Sequence, residues 1–309
     1  MFEPGVRIPV LVNGMAGRLR NVWDERALRA RLAPGIEPDF LYPSTAQDTS
    51  RIAQQAVAES LPALIVAGGD GTLNRVAAVL AGSNVAMGIL PFGTGNDLAA
   101  TIGLPLDVGS AARQLLAARD RRIDLLEVNG AVACTVGLLG LVADSAARVI
   151  RAGAPGSRWR PLVRRLGAAS WRLSGTASLV TSQLARPVRV ECTTPNGDRQ
   201  VSEQEVAGFF LANGSRLGGG LTLPTHGRVD DGVFEVCTVA ARGRARLLQA
   251  FTDLMLKRPL PPGALQVQPA HAATISWRVP GPFSADGELF GEAATFDVRL
   301  RPAALRVLA

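Results

Sequence analysis

The sequence predicts two domains of different class: a parallel α/β domain followed by a mostly antiparallel β domain with a few inserted helices. Three observations predict it. Strand-like and helix-like runs alternate from the N-terminus to about Ile123. Beyond that point short apolar strands follow one another around Asn-Gly turns. Three of the early apolar runs also end in small-residue loops, at Asn13, Gly68 and Pro91, as strands do where they open at the carboxyl edge of a parallel sheet. A chain of 309 residues is long enough for two such cores.

In order, "RIPVLVNG" is a short buried strand ended by a turn. "DERALRARLA" places Leu28 and Leu32 four apart on one helical face and stops at Pro34-Gly35. "DFLYP" is a strand, and "DTSRIAQQAVAES" a helix capped by Asp48 or Ser50. "ALIVAGG" is a strand, "TLNRVAAVLAGS" a helix closed by Gly82, "AMGILPFG" a strand and "VGSAARQLLAAR" a helix. Helices between such strands act as crossovers. "RIDLLEVNGAVACTVGLLG" is then a hairpin around Asn129-Gly130, and "RPVRVECTTPNGDRQVSEQEVAGFFLANG" a second with Asn196-Gly197 at its turn. "GVFEVCTVA", "AATISWRV", "GPFSADGEL" and "ATFDVRLRPAALRVLA" continue the β pattern. The expected boundary lies near Asp124. Residues 1–124 form the α/β domain, 125–300 the β-rich one, and the segment of about 301–309 is a candidate to return to the first.

Hydrophobic residues at 47% and charged residues at 19% describe a packed chain. The formal net charge of +7 suits an anionic partner, without choosing among nucleotides, nucleic acid and an acidic membrane. Cys134, Cys192 and Cys237 form no CxxC pair, and two histidines cannot complete a zinc site of usual spacing. The thiols are expected to be reduced core residues of a cytoplasmic protein. The N-terminus lacks a basic stretch before a long apolar run, and no segment approaches the ~18 uninterrupted apolar residues of a membrane span. Any lipid is therefore expected to be met from the water side. Residues 145–190 hold no Asp or Glu and nine arginines, among them Arg164, Arg165 and Arg172. Trp159, Leu162, Val163, Leu166 and Leu173 keep helical spacing on one face. That mixture suits a surface between water and lipid; a solvated helix lying on the core fits it equally.

The chemistry concentrates in the glycine loops. Gly68, Gly69 and Gly71 around Asp70 can bring backbone N–H groups against phosphate oxygens, and the following helix offers its positive end. Walker A would need Gly-Lys-Ser/Thr here, and the Rossmann GxGxxG is absent too. An aspartate would repel a bare triphosphate, so Asp70 points to a metal ion or a substrate hydroxyl; a tight turn with Asp as cap is the plainer alternative. "PFGTGNDLA" (Pro91 to Ala99) brings Thr94, which can hydrogen-bond a nucleotide, to the same edge, with Asn96 and Asp97 as polar groups facing the same crevice, and "NGMAGR" (Asn13 to Arg18) leaves the first strand there. Asp230-Asp231-Gly232 suits a hairpin turn as well as a site, and Glu288 alone would be a strand-end acid.

NxxxG at Asn13, GGDGTLN at Gly68 and PFGTGNDLA at Pro91, in this order, resemble the diacylglycerol kinase catalytic domain family, which includes bacterial lipid kinases, sphingosine kinases and ceramide kinases. "FFLANGSRLGGGLTLPTHGRVDDGVFEV" and "SADGELF" extend the resemblance over nearly the whole chain. It implies an N-terminal Rossmann-like nucleotide domain like that of NAD kinases and phosphofructokinases, and a C-terminal antiparallel β-sandwich. It implies that Asn13, Gly14, Met15, Ala16 and Gly17, with Gly68, Gly69, Asp70, Gly71, Thr72, Leu73 and Asn74, hold ATP, that Thr94 contacts its phosphates, and that Ser44 or Thr45 adds a hydroxyl. Glu288 of the DGE motif would be the general base, with Asp70 completing an acidic pair that binds Mg²⁺ or orients the hydroxyl. A second Mg²⁺ would sit on the Asp231 carboxylate and the main-chain oxygens of Arg228 and Val233. The family usually has Asn-Pro where this chain has Asn13-Gly14, and Ala285 fits the residue before DGE loosely.

The resemblance implies an ATP- and Mg²⁺-dependent lipid kinase with diacylglycerol as first acceptor and ceramide or a sphingoid base as second. It would act in the cytoplasm at the inner face of a membrane, with the acid-free stretch against anionic headgroups. An NAD kinase and a nucleotide-binding regulator without turnover are the alternatives. The basic stretch carries no motif that reads nucleic acid, and an exposed strand edge could pair two copies into a homodimer.

Overall fold

The computed structural model describes residues 5–14, 24–154, 156–181, 184–217 and 221–309. Met15, Ala16 and Gly17 of the first loop lie outside these residues, as do Gly218, Gly219 and Gly220 and the side chains of Arg164 and Arg172. The chain divides into two compact units, Met1–Leu125 with Arg301–Ala309, and Leu126–Leu300.

The first unit alternates β1 (Arg7–Val12), α1 (Glu25–Leu32), β2 (Glu37–Leu41), α2 (Ala46–Ala58), β3 (Ala63–Gly68), α3 (Asp70–Leu80), β4 (Ala86–Pro91), α4 (Asp97–Thr101) and α5 (Val108–Ala117). The strands are parallel in the order β2-β1-β3-β4, and Val307 and Leu308 near the C-terminus add a further parallel partner beside Met87 and Gly88. Every residue of β3 and β4 is buried. Strands covered by helices on both faces carry continuous apolar runs rather than alternation. Asp24 caps α1 by accepting the Ala27 N–H at 2.9 Å, and Leu28 and Leu32 are buried.

Helix α2 corrects the expected cap. It starts at Ala46 with Thr45 at its N-cap. The Thr45 hydroxyl accepts the Asp48 N–H at 3.0 Å, and the Asp48 carboxylate accepts the Thr45 N–H at 3.0 Å. Asp48 is thus the third helical residue of a capping box and Ser50 lies inside the helix. The reciprocal pair satisfies two orphan donors where a lone Asp48 or Ser50 cap would satisfy one.

The second unit holds the end of β5 (Asp120–Val128), then β6 (Ala131–Ala133), β7 (Val136–Gly140), α6 (Leu141–Gly153), α7 (Arg160–Leu166), α8 (Ala168–Thr181), β8 (Arg186–Thr193), β9 (Arg199–Ala212), β10 (Arg216–Leu217), β11 (Leu221–Thr222), β12 (Phe234–Ala240), α9 (Arg244–Met255), β13 (Leu265–Ala270), β14 (Ala272–Ala285) and β15 (Glu288–Leu308), whose last residues belong to the first unit. The neighbours β13-β12-β9-β7-β14-β15 pair antiparallel, and β8 also lies between β9 and β14. Asn129 and Gly130, at φ +49° and +82°, make the two-residue turn between β5 and β6. Phe209, Phe234, Ile275, Trp277, Phe283 and Phe296 lie in the core of this unit, with Phe209 edge-to-face on Trp277 at 5.7 Å.

The acid-free stretch is not one helical face. Gly167, at φ +51°, breaks it between α7 and α8, so Leu173 belongs to a different helix from Leu162. Trp159 immediately precedes α7 and is 51% exposed; Leu162 and Leu173 are exposed too. All three cysteines are buried and unbridged, and burial pushes the Cys192 thiol up to about 11. Among the described residues no helix is long and apolar enough to cross a membrane.

Gly208 of β9 pairs with Gly140 at the end of β7. A Cβ on Gly208 would stand 2.4 Å from the Leu139 carbonyl oxygen, a backbone atom that cannot move aside. Gly208→Ala is expected to destabilise the fold by about 3 kcal/mol. The check is a urea midpoint at unchanged m-value; a wild-type midpoint would contradict the close packing.

Candidate functional site

In the first unit the parallel register of β1, β3 and β4 brings their carboxyl-terminal loops to one edge. The loops are bonded to one another. The Asn13 N–H donates to the Ala67 carbonyl at 3.0 Å, and the Asn13 side-chain amide donates to the Thr72 hydroxyl at 2.7 Å. The Phe92 N–H donates to the Gly68 carbonyl at 3.0 Å. Asp70 makes the strongest tie. Its carboxylate accepts the Asn96 N–H at 2.8 Å through one oxygen and the Asp97 N–H at 2.7 Å through the other. An acid at the start of α3 therefore caps α4 across 26 residues of chain.

This closure explains the glycines around the acid. A Cβ on Gly93 would lie 2.7 Å from the Gly69 Cα, so the two backbones meet where no side chain fits. The second loop also closes on itself. The Asn96 amide accepts the Gly93 N–H at 2.7 Å and donates to the Gly93 carbonyl at 3.0 Å. Asn96 adopts φ +54°, a left-handed conformation that asparagine tolerates. Burial raises the Asp70 carboxyl above its ordinary range, against the N–H groups of Asp97, Asn96 and Leu98, which pull it down.

The expected nucleotide residues fall into two sets. Gly14, Ser44 and Thr94 are exposed at the loops, and Asn13, Gly69, Asp70 and Gly71 are half-buried. Gly68, Thr72, Leu73 and Asn74 are buried, with the Leu73 side chain wholly inside. The expectation that Asn96 and Asp97 line an open crevice is corrected: both are buried, Asn96 because its amide is folded into its own loop. The Thr45 hydroxyl caps α2. Ser44 is exposed and donates its N–H to Asp48 at 3.2 Å.

In the second unit Glu288 is half-buried and opens β15. Asp286 and Gly287, at φ +49° and +81°, form a two-residue turn in which Ala285 pairs with Glu288. The Asp286 carboxylate accepts the Cys134 N–H at 2.6 Å, the Thr135 N–H at 3.1 Å and the Thr135 hydroxyl at 2.5 Å. Asp286 lies in the DGE motif and Asn213 in the block from Phe209, but the bonds that they and Thr135 make escape sequence reasoning. The Asp-Gly pair signals a hairpin, but nothing local reports a partner 151 residues away.

Asp231 sits in a turn with Gly232 at φ +74°. Its carboxylate accepts the Arg228 N–H at 3.2 Å and the Val233 N–H at 3.1 Å. Glu235, buried and also missed, holds the preceding strand of loop by accepting the His226 and Gly227 N–H groups. One carboxylate with the carbonyl oxygens of Arg228 and Val233 is a hard-oxygen set that fits Mg²⁺. Among the described residues no cluster of three or more His, Cys, Asp or Glu side chains could hold a metal ion.

Residues 7–128 match the diacylglycerol kinase catalytic domain family, and residues 158–309 match the YegS C-terminal NAD kinase beta sandwich-like domain. A Klebsiella pneumoniae (strain 342) protein named "Probable lipid kinase YegS-like" is 30% identical over 84% of this chain and 82% of its own length. A Mycobacterium tuberculosis (strain CDC 1551 / Oshkosh) protein named "Diacylglycerol kinase" is 28% identical over 98% of this chain and 94% of its own. The crystal structure of a Bacillus anthracis str. Sterne diacylglycerol kinase superposes with a TM-score of 0.71 at 19% identity, covering 98% of this chain and 96% of that one, a likeness of fold.

The raised carboxyl of Asp70 carries a sign that can be measured. The folded chain holds this proton more tightly than the unfolded chain, so the stability Asp70 contributes is fullest below the ordinary carboxylate pKa and is lost as pH rises from there through the raised value. Asp70→Asn does not titrate, and it turns an NH₂ toward a backbone donor, an offset of about 1 kcal/mol. The wild type's stability margin over Asp70→Asn is expected to shrink as pH rises above the ordinary carboxylate pKa toward the raised one, read from urea midpoints. A margin that widens with pH would overturn the raised value.

Proposed function

The chain belongs to the lipid kinase family built on the diacylglycerol kinase catalytic domain, and from that premise we propose that it transfers the γ-phosphate of ATP to the hydroxyl of a membrane lipid, diacylglycerol first among acceptors. It is a phosphotransferase with an alcohol acceptor. The observation that supports the reading best is the Asp70 carboxylate joining GGDGT to FGTGND. That junction holds loops with exposed Ser44, Thr94 and Gly14 at the edge of a parallel sheet, where α/β domains bind nucleotides.

In this reading the loops bind the triphosphate through backbone N–H groups and the Thr94 hydroxyl, with Ser44 as the added hydroxyl because Thr45 is engaged in its cap. The lipid hydroxyl oxygen attacks the γ-phosphorus. A new O–P bond forms, the bond between the γ-phosphorus and the β,γ-bridging oxygen breaks, ADP leaves, and the hydroxyl proton passes to the Glu288 carboxylate. Mg²⁺ bound with ATP would offset phosphate charge, and a second ion would be held by Asp231 with the carbonyls of Arg228 and Val233. Asp70 acts from the nucleotide side by holding the second loop in place.

The approach to lipid is assigned to the acid-free helices. Trp159, Leu162 and Leu173 are exposed apolar side chains there, and Arg158 lies over the Trp159 ring at 5.1 Å. Exposed aromatic and leucine side chains among arginines suit the interface of an anionic membrane, each arginine contributing about 1 kcal/mol.

Glu288→Gln is expected to lower phosphate transfer by about 100-fold or more while ATP affinity stays within a few-fold. The assay is transfer of labelled phosphate from ATP to diacylglycerol, monoacylglycerol, ceramide and sphingosine. Unchanged turnover ends the base assignment, labelling of ceramide or sphingosine alone replaces the acceptor, and consumption of NAD⁺ with no lipid labelled replaces the reading. Separately, Arg158→Glu with Arg165→Glu is expected to weaken sedimentation with phosphatidylglycerol vesicles by about tenfold at low salt. Vesicle binding indifferent to both salt and charge reversal would remove the docking surface.

A further inference from the structure

Resting on the reading of Glu288 as the base, we infer that Thr135 and Asp286 are the positioning pair that sets where the Glu288 carboxylate stands, with Asn213 as their anchor. The turn that presents Glu288 has two residues, both at positive φ. Glycine takes such angles freely; a residue with a Cβ does so at a cost of about 1–2 kcal/mol. Asp286 offsets that cost with a carboxylate that holds three donors, the Cys134 N–H, the Thr135 N–H and the Thr135 hydroxyl. Two donors bind one oxygen and one the other, so the carboxylate cannot rotate about its axis without breaking a bond. Thr135 is 4% exposed. Charge-assisted bonds shielded from water are the strong ones.

The segment that receives Asp286 is itself fixed. Asn213 is wholly buried; its side-chain amide donates to the Cys134 carbonyl at 2.9 Å and its N–H to the Thr135 carbonyl at 2.8 Å. A chain of bonds thus runs from the end of β9 through the start of β7 to the tip of the β14–β15 hairpin. The strands of that hairpin are held independently. Ala285 pairs with Glu288 on one side and with Gly137 on the other, and Phe283 packs against Phe290 at 5.5 Å. Loss of the Thr135 hydroxyl therefore leaves the ladders standing and removes one of the two bonds on one carboxylate oxygen, loosening only the tip. Glu288 is the residue after that tip, and a catalytic group displaced by about 1 Å loses about 100-fold in rate. Thr135 touches no reacting atom in this reading; it acts through Asp286.

The test compares the full chain with Thr135→Val, Thr135→Ser and Asp286→Asn, using ATP with Mg²⁺ and whichever of diacylglycerol, ceramide and sphingosine in mixed micelles the wild type phosphorylates fastest. Thr135→Val, which keeps the shape and removes the hydroxyl, is expected to lower kcat by about tenfold or more with the KM for ATP within about twofold. Thr135→Ser is expected to restore kcat to within about threefold of wild type, and hydrogen exchange at the amides of residues 286–288 should be faster in Thr135→Val alone. Asp286→Asn should follow Thr135→Val; if it does not fold, Thr135→Val carries the test. A wild-type kcat per folded molecule in Thr135→Val, or a Thr135→Ser as impaired as Thr135→Val, overturns the positioning role. Glu288→Gln run in parallel separates the failures. An inactive Glu288→Gln beside a fully active Thr135→Val sinks this inference alone. An active Glu288→Gln, or a wild type that labels no lipid, sinks the reading beneath it.

Discussion

The bond between the Asp70 carboxylate and the N–H groups of Asn96 and Asp97 is the constraint on which the nucleotide edge depends. A carboxylate removed from water needs donors at close range, and this one finds them in a loop that would otherwise start a short helix with no cap. Neither α3 nor α4 receives a hydrogen bond from the side chain at its own N-cap. The acid of one helix start supplies the cap of the other. The approach of Gly69 to Gly93 follows from the same closure: the loops can be joined by a side chain as short as aspartate only if their backbones touch.

The device recurs. Asp286 gathers the N–H groups of Cys134 and Thr135, Asp231 those of Arg228 and Val233, Glu235 those of His226 and Gly227, and Asp124 that of Ala303, a residue at φ +49°. In each case a carboxylate pulls irregular backbone into a fixed shape where no ladder would hold it. Arginines do different work: Arg7, Arg151 and Arg199 form exposed ion pairs with Asp39, Glu292 and Glu191, which contribute little to stability. The acids named here organise irregular backbone; these three arginines face solvent.

That division explains what the sequence disclosed. The class of each half was legible because it rests on local periodicity: β3 and β4 are unbroken apolar runs, and Asn129-Gly130 needs the turn it makes. The loops GGDGT and FGTGND were legible as loops because glycine marks close approach. The cap of α2 was misread by a few residues, since Thr45, Asp48 and Ser50 are all capping types and only the reciprocal bonds decide among them. Asn96 was misread as lining a crevice because an asparagine that ligates and one that bonds its own loop look the same in sequence. The bonds of Thr135, Asn213 and Glu235 left no trace, because no local pattern reports which backbone groups a buried polar side chain will meet.

The same reasoning accounts for an aspartate where a P-loop carries lysine. A lysine reaches the phosphates itself and needs the loop only as a cradle. Here the carboxylate points inward to backbone donors, which favour its charged form against the burial that raises its pKa. In the proposed reading an anion at the sheet edge would meet the exposed Gly14 and Thr94, on loops held by the inward bond. Glycine at position 93 and aspartate at position 70 therefore belong to a single requirement, since the bond forms only where the two loops meet.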